Sequence, residues 1–275
     1  INIFATKYSV EDISEQKIPV IGGTILYINF FVIFIFLLIN KRYELIYLPL
    51  TESYREIFAF FIPISIIYLT GLYDDRYKLS IISRLLLFIF SLLIAISLDQ
   101  TLIITELKFS FHNKIFYLDN LSLLFTILCF LIALNAFNLF DGINLQLSVY
   151  TIIIILYLLT LNGGYYVVSI LLLPLFFFTI LNFKNSAILG DGGSLTLGFL
   201  VSYLIIKYYK YTDNLMVDHI FVLLMIPGID MLRLFISRIT SGKSPFFGDY
   251  NHIHHILHKK LSLHKTLLVL HGTLL

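Results

Sequence analysis

From Gly142 to Phe183 no Asp, Glu, Lys or Arg interrupts the chain. A bilayer core needs about 20 mostly apolar helical residues. That run therefore has room for two membrane spans, and Asn162-Gly163-Gly164 in its middle supplies the turn. Six more runs share this character: Gly22–Ile39, Ile57–Tyr73, Leu79–Leu98 (interrupted only by Arg84), Leu121–Phe140, Gly192–Ile206 and Leu215–Ile239. Tyr208 and Tyr209 flank the fifth of these at the expected interface, and Asp230, Arg233 and Arg238 crowd the final third of the last. A further apolar stretch starts at Leu267. The expected fold is an all-α polytopic membrane protein with about eight complete transmembrane helices and a truncated ninth. Composition agrees: 59% of residues are apolar and only 13% charged, with a mean hydropathy of +0.91. Soluble domains carry about 25% charged residues. An ordinary soluble enzyme and a disordered chain are both excluded.

One segment breaks the pattern. Leu107, Phe109 and Phe111 alternate with Glu106, Lys108 and Ser110, and His112-Asn113-Lys114 follows before Ile115–Leu118. Period two around a polar turn predicts a small extracytoplasmic β-hairpin. Threading the spans in order collects the larger share of the 19 Lys and Arg on one side, which the positive-inside rule makes cytoplasmic. The expected location is a membrane, crossed several times, with the Lys- and Arg-rich face toward the cytoplasm. A net charge of +2 is too weak a bias to imply nucleic acid. Cys129 is the only cysteine, so no internal disulfide forms, and its apolar surroundings mark it as a packing residue. The chain opens on Ile1 and closes on Leu275 within an apolar stretch, so we expect a single transmembrane domain over 1–275, clipped at both ends.

The unusual residues gather at span ends on the cytoplasmic side. They are Asp74-Asp75 with Lys78, Asn135 with Asn138, Asp141 and Asn144, Asp191 within Gly190–Gly193, and Asp249 with His252, His254, His255 and His258. Snorkelling charge would explain one such cluster, but it does not predict four on one face, nor Asn, Asp, Gly and His in place of Lys and Arg. Paired carboxylates plus Asp191 favour a hard divalent cation, Mg²⁺ with Mn²⁺ as substitute, since Mg²⁺ is held by one or two carboxylates and by substrate phosphates. Glycines at a helix start leave N–H groups to meet phosphate oxygens. His254 and His258 at i,i+4 spacing are also compatible with Zn²⁺. Metal, phosphate-binding glycines and a bilayer together point to phosphoryl transfer between a lipid and a soluble substrate. An ion or solute transporter, the competing class, would place charges near mid-membrane.

In this order the four segments resemble the polyprenyl-phosphate N-acetylhexosamine-1-phosphate transferases, over roughly Pro19 to His258. Asp74-Asp75-Arg76 with Leu79-Ser80 is similar to that family's paired-aspartate motif. Asn135-Ala136-Phe137-Asn138 with Asp141-Gly142, and Gly190-Asp191 with Gly193-Ser194-Leu195, are similar to its second and third motifs. Asp249 with His252-Ile253-His254-His255 resembles the His-x-His-His loop of the WecA-like branch, whereas the peptidoglycan translocase branch shows three adjacent histidines. Pro19 with Gly22-Gly23 matches the Pro-x-x-Gly-Gly near the start. Where the second motif usually continues Asp-Gly-Leu, this chain reads Asn144-Leu145-Gln146.

The resemblance implies transfer of a sugar-1-phosphate from a UDP-sugar to undecaprenyl phosphate with release of UMP, at the start of lipid-linked glycan synthesis. It implies Mg²⁺ on Asp191 with Asn138 as second ligand, and Asp74 or Asp75 acting on the lipid phosphate. The substrate-binding residues would be Lys78, Asn135, Asp141, Asn144, Gly190, Asp249, His252, His254 and His255, and a homodimer is compatible with it. Direct attack by the lipid phosphate and a covalent phospho-aspartate route both fit. The alternatives are the phospho-MurNAc-pentapeptide translocase and an inactive truncated relative. The histidine loop, far in sequence from the Asn135–Asn144 turn, is expected to meet the sugar-phosphate and to titrate near neutrality.

Overall fold

The computed structural model describes residues 6–8, 17–43, 53–161, 166–242 and 252–272. Eight long helices, counted among the described residues, coincide with the expected runs. They are α1 (Gly22–Tyr43), α2 (Tyr54–Tyr77), α3 (Ile81–Leu98), α4 (Ser122–Phe140), α5 (Gln146–Leu161), α6 (Tyr166–Phe183), α7 (Gly190–Tyr211) and α8 (Val217–Thr240). Five of them, α1–α4 and α8, are long and apolar enough to cross a membrane, while Gln146–Leu161 and Val168–Phe183, within α5 and α6, are shorter apolar helical stretches. The turn expected at Asn162-Gly163-Gly164 lies outside the described residues. Two short helices, α9 (Ile253–His258) and α10 (Leu263–His271), follow α8.

Local chemistry sets the helix ends. Ser53 caps α2 by accepting from Glu56 N at 3.2 Å, and Ser80 caps α3 by accepting from Ser83 N at 3.1 Å. Pro63, Pro174 and Pro227 sit inside α2, α6 and α8, a placement that neighbouring helices make tolerable in a membrane. Large apolar side chains stay exposed along the outer faces, among them Val32 on α1, Ile82 and Leu86 on α3, and Leu173 on α6. In water they would form an aggregation-prone surface, whereas against lipid chains they are matched.

The core is built on α7, which is buried from Gly190 through Tyr208 except at Asp191 and contacts α1, α2, α4 and α5. Its glycines admit close neighbours: a Cβ on Gly23 would stand 2.4 Å from Gly193 N, and one on Gly71 would stand 2.6 Å from Gly192. This is the small-residue packing of membrane helices, in which backbones approach because no side chain intervenes.

Ahead of α1, strand β1 (Thr6–Tyr8) pairs antiparallel with β2 (Lys17–Pro19). Pro19 O accepts from Ile188 N at 3.1 Å, and Gly22 N and Gly23 N donate to Ile188 O and Leu189 O. The Pro-x-x-Gly-Gly segment is thereby stitched to the entry of α7. The hairpin expected from the sequence also forms, but its turn falls at Ser110-Phe111, where Asp218 holds Ser110, and the expected turn residues His112-Asn113-Lys114 open the second strand instead. Strand β3 (Glu106–Phe109) pairs antiparallel with β4 (His112–Tyr117) in the register Glu106↔Tyr117 and Leu107↔Phe116. It docks on the bundle through Tyr209 Oη, which accepts from Lys108 N at 2.8 Å, and through Asp218, which accepts from Ser110 N and Oγ.

Sequence reasoning missed the buried ion cluster at the far end of α7. Lys207 is fully buried and forms salt bridges with Asp99 and with Glu56 Oε2 (3.2 Å), and it donates to Thr101 Oγ1 at 3.1 Å. It lies 17 residues beyond Gly190, about 25 Å along the helix axis.

Candidate active site

Three of the four polar clusters meet where α2 ends, α4 ends and α7 begins. The two adjacent aspartates point to different partners. Asp74, only 5% exposed, accepts from Leu79 N at 2.5 Å through Oδ1 and pairs with Arg84 Nη1 at 3.1 Å through Oδ2. It holds the α2–α3 turn. Asp75 reaches across to α7, where its Oδ2 accepts from Gly192 N at 3.2 Å. Asp191 is half-buried: its Oδ1 accepts from Asn138 Nδ2 at 3.3 Å, and its Oδ2 stands 4.0 Å from Lys78 Nζ. Asn138 Nδ2 also donates to Ser194 Oγ at 2.9 Å.

Backbone geometry supports this arrangement. Gly190 has φ +73°, and a Cβ there would stand 2.2 Å from Val20 and 2.7 Å from Asp75 Oδ2. Only glycine fits a left-handed position this crowded. Lys78 itself has φ 55°, rare for a residue with a side chain, and its N–H closes α2 by donating to Asp74 O at 3.1 Å. This conformation places its ammonium, largely exposed, beside Asp191. The expectation that the α7 glycines leave free N–H groups for phosphate needs correction at Gly192, whose N–H is taken by Asp75.

The second motif divides. Asn138 joins the cluster, while Asn135 donates to Leu131 O at 2.7 Å within α4. Asn144 donates to Asn185 Oδ1 at 2.5 Å, and Leu145 N donates to Asn182 Oδ1 at 2.6 Å. Asn182 and Asn185, absent from the sequence reading, thus tie the α4–α5 turn to the end of α6. Asp141, half-buried, directly follows α4.

Asp249 lies outside the described residues. The histidines that follow are placed against α8 and the α4–α5 turn. Asp230, buried in α8, faces His252 Nδ1 through Oδ2 at 3.0 Å, and its Oδ1 accepts from Ile253 N at 3.1 Å and Arg233 Nη2 at 2.8 Å. The sequence showed Asp230 only as one of three charges, with Arg233 and Arg238, crowding the end of an apolar run. His254 is fully buried and packs so tightly on Gly142 that a Cβ there would stand 1.7 Å from its Nε2. The loop and the Asn135–Asn144 turn, far apart in sequence, are therefore in contact. Burial pushes the His254 imidazole down to about 3 and also lowers His255, with the neighbouring histidines acting in the same direction. His254 is thus neutral at pH 7, contrary to the expectation of titration near neutrality. His255 and His258 keep partial solvent access.

Hard oxygen donors at Asp191, with Asn138 and Ser194 beside it, suit a cation of the Mg²⁺ class. Half a turn about its last side-chain bond presents the Asn138 amide oxygen in place of the nitrogen. The acidic residues do not converge on a common centre, since Asp74 is committed to Arg84.

The chain is 25% identical over 257 residues to an undecaprenyl-phosphate alpha-N-acetylglucosaminyl 1-phosphate transferase of Yersinia pestis, and 24% identical over 255 residues to that of Escherichia coli strain K12. Each similarity covers 88% of this chain and 66% of the relative, so the chain spans just under two thirds of the length of these relatives. A Salmonella typhi enzyme of the same name is 32% identical over 79 residues, which is 28% of this chain and 22% of that one. The family model for glycosyl transferase family 4 matches residues 57–209, more than half of the chain, and takes in Asp75, Asn138 and Asp191. The chain belongs to glycosyl transferase family 4.

Proposed function

We propose that the chain transfers a sugar-1-phosphate, of the N-acetylhexosamine class, from a UDP-sugar to undecaprenyl phosphate and releases UMP. The observation that carries this reading is the meeting of Asp75, Asn138, Asp191 and Lys78, drawn from three separate segments, at one end of a lipid-facing bundle. The names of the relatives support the lipid acceptor and an N-acetylglucosaminyl donor. The location we propose is a bacterial cell membrane, with this end of the bundle toward the cytoplasm, where UDP-sugars are found.

Asp191 with Asn138 would hold Mg²⁺, or Mn²⁺ in its place. Bound there, the ion would offset the charge that builds on the donor's phosphates. Lys78 draws the anionic groups to the same spot. Asp75, fixed by Gly192 N–H, would orient the attacking lipid phosphate by accepting a hydrogen bond from its singly protonated form. That oxygen forms a bond to the sugar-bearing phosphorus as the bond from this phosphorus to the UMP oxygen breaks. Proton removal contributes little, because a phosphomonoester already carries about −1.5 to −2 at pH 7. Asp74 takes no part in the chemistry, since both its oxygens are engaged and it is buried. Contact with the sugar-phosphate falls to His255, which has solvent access, rather than to His254.

The test is a membrane assay with undecaprenyl phosphate and a panel of radiolabelled UDP-sugars. Label should pass into the lipid fraction with one of them, with stoichiometric UMP. EDTA should abolish the transfer, excess Mg²⁺ should restore it, and Asp191→Asn should be inactive. Failure of every donor sinks the reading, and full turnover in EDTA sinks the metal assignment.

A further inference from the structure

Asp230, His252 and His254 form a second potential metal centre, separate in residues and in donor chemistry from the one around Asp191. All three are buried, and each offers one donor atom within 4.8 Å of the others. Among the described residues this is the group of three or more His, Cys, Asp or Glu side chains with that convergence. Asp230 Oδ2 and His252 Nδ1 stand 3.0 Å apart. Two donors about 2.0–2.1 Å from a tetrahedral ion lie about 3.3 Å from each other, so little movement would admit one between them.

An independent observation points to a ligand. His254 is fully buried, yet neither of its ring nitrogens has a hydrogen-bond partner. An imidazole removed from water with both nitrogens bare is unfavourable, and buried polar groups in native proteins are rarely left so. Its ring stacks on that of His252, with centroids 5.3 Å apart and planes 11° from parallel. The Asp230 oxygen not facing His252 is neutralised and oriented by Arg233 and by Ile253 N, the outer support that metal-binding carboxylates commonly have.

We propose that Asp230, His252 and His254 bind a borderline divalent transition metal, with Zn²⁺ the best match, and that the ion pins the histidine loop to α8 and to the Asp141–Gly142 turn. Two imidazoles and one carboxylate are the donors such ions prefer, whereas Mg²⁺ takes oxygen. The proposal goes beyond the transferase reading and stands without it, because binding is read directly.

The experiment uses the full chain carrying a tag without histidines, purified in detergent, stripped with chelator and titrated with Zn²⁺. Metal is then counted by mass spectrometry, and Co²⁺ replacement is followed by visible absorption. The wild type should retain about one Zn²⁺ per chain against a tenfold excess of Mg²⁺, and Co²⁺ should give the intense bands of a low-coordinate nitrogen and oxygen site. His254→Ala and His252→Gln should each weaken retention by more than the roughly 10–100-fold typical of losing an outer-shell partner. His219→Ala, at the opposite end of α8, should not. A wild type that holds no stoichiometric Zn²⁺ overturns the proposal whatever the variants do. Equal retention by folded His254→Ala overturns it too. Loss of transfer activity with Zn²⁺ binding intact would strike the transferase reading and leave this one standing.

Discussion

Replacing Lys207 by Met should unfold the far end of the bundle without touching the candidate active site. The Lys207 side chain is wholly buried, and its partners Asp99 and Glu56 are 3% and 14% exposed in their side chains. Met keeps the apolar stem and removes the charge, so two carboxylates lose their shared cation and the Tyr203 and Tyr211 rings lose the ammonium that stands over them. Removing one partner of a buried ion pair costs about 3–5 kcal/mol, chiefly because the other charge is left unpaired in a poor solvent. For a domain of this size each kcal/mol moves Tm by about 2–4 °C, so Tm should fall by about 6–20 °C. Combining Lys207→Met with Glu56→Gln and Asp99→Asn removes the orphaned charges. The amides introduced in place of the Glu56 and Asp99 carboxylates would keep an oxygen for the bonds now made to Ser53 and Thr101. Most of the lost stability should return. The assay is thermal unfolding of the detergent-solubilised protein by intrinsic tyrosine fluorescence. A single variant melting within about 2 °C of wild type, or a triple variant no better than the single, refutes the argument.

The paired aspartates should separate. Asp75→Asn should lower kcat by about 10²-fold, the cost of a misplaced attacking group, with little change in Tm, whereas Asp74→Asn should mainly lower Tm through its loss of Arg84; equal kinetic effects with equal melting would contradict the assignment. Gly190→Ala should destabilise by more than the ~1–2 kcal/mol of a left-handed backbone, because its methyl also meets Val20 and Asp75, and denaturant titration measures it. Gly142→Ala should expel His254 and loosen the loop, read as faster limited proteolysis between Ile253 and His258; unchanged cleavage would show that the contact does not hold the loop. His255→Ala should slow transfer while UMP still inhibits with near-wild-type affinity, and collapse of UMP affinity would move His255 to the nucleotide.

Apolar runs long enough for a bilayer admit one backbone solution, the helix, because every N–H and C=O must be satisfied within its own segment. For that reason the helical runs, five of them long and apolar enough to cross a membrane, could be read from hydropathy, while the β3–β4 hairpin, though not the place of its turn, came from a period of two. The site residues were legible as types and as clusters, since carboxylates, amides and histidines at apolar span ends have no cheap structural explanation. Their individual roles were not legible. Asp74 and Asp75 are neighbours with the same chemistry, and only the packing of α3 against α2, which brings up Arg84, and of α7 against α2, which brings up Gly192, gives the two carboxylates different partners. The histidines carried the same ambiguity: burial against Gly142 makes His254 an internal residue and leaves His255 with water. Asp230 was visible as one of three charges at the end of an apolar run, and Lys207 as the charge just past another, but a charge in the sequence does not name its partner. His252 lies 22 residues from Asp230, and Glu56 lies 151 from Lys207. Composition and periodicity act along the chain and determine which segments enter the membrane. Partner choice for buried polar groups depends on distances of about 3 Å between segments remote in sequence, and those distances exist only once the helices have packed.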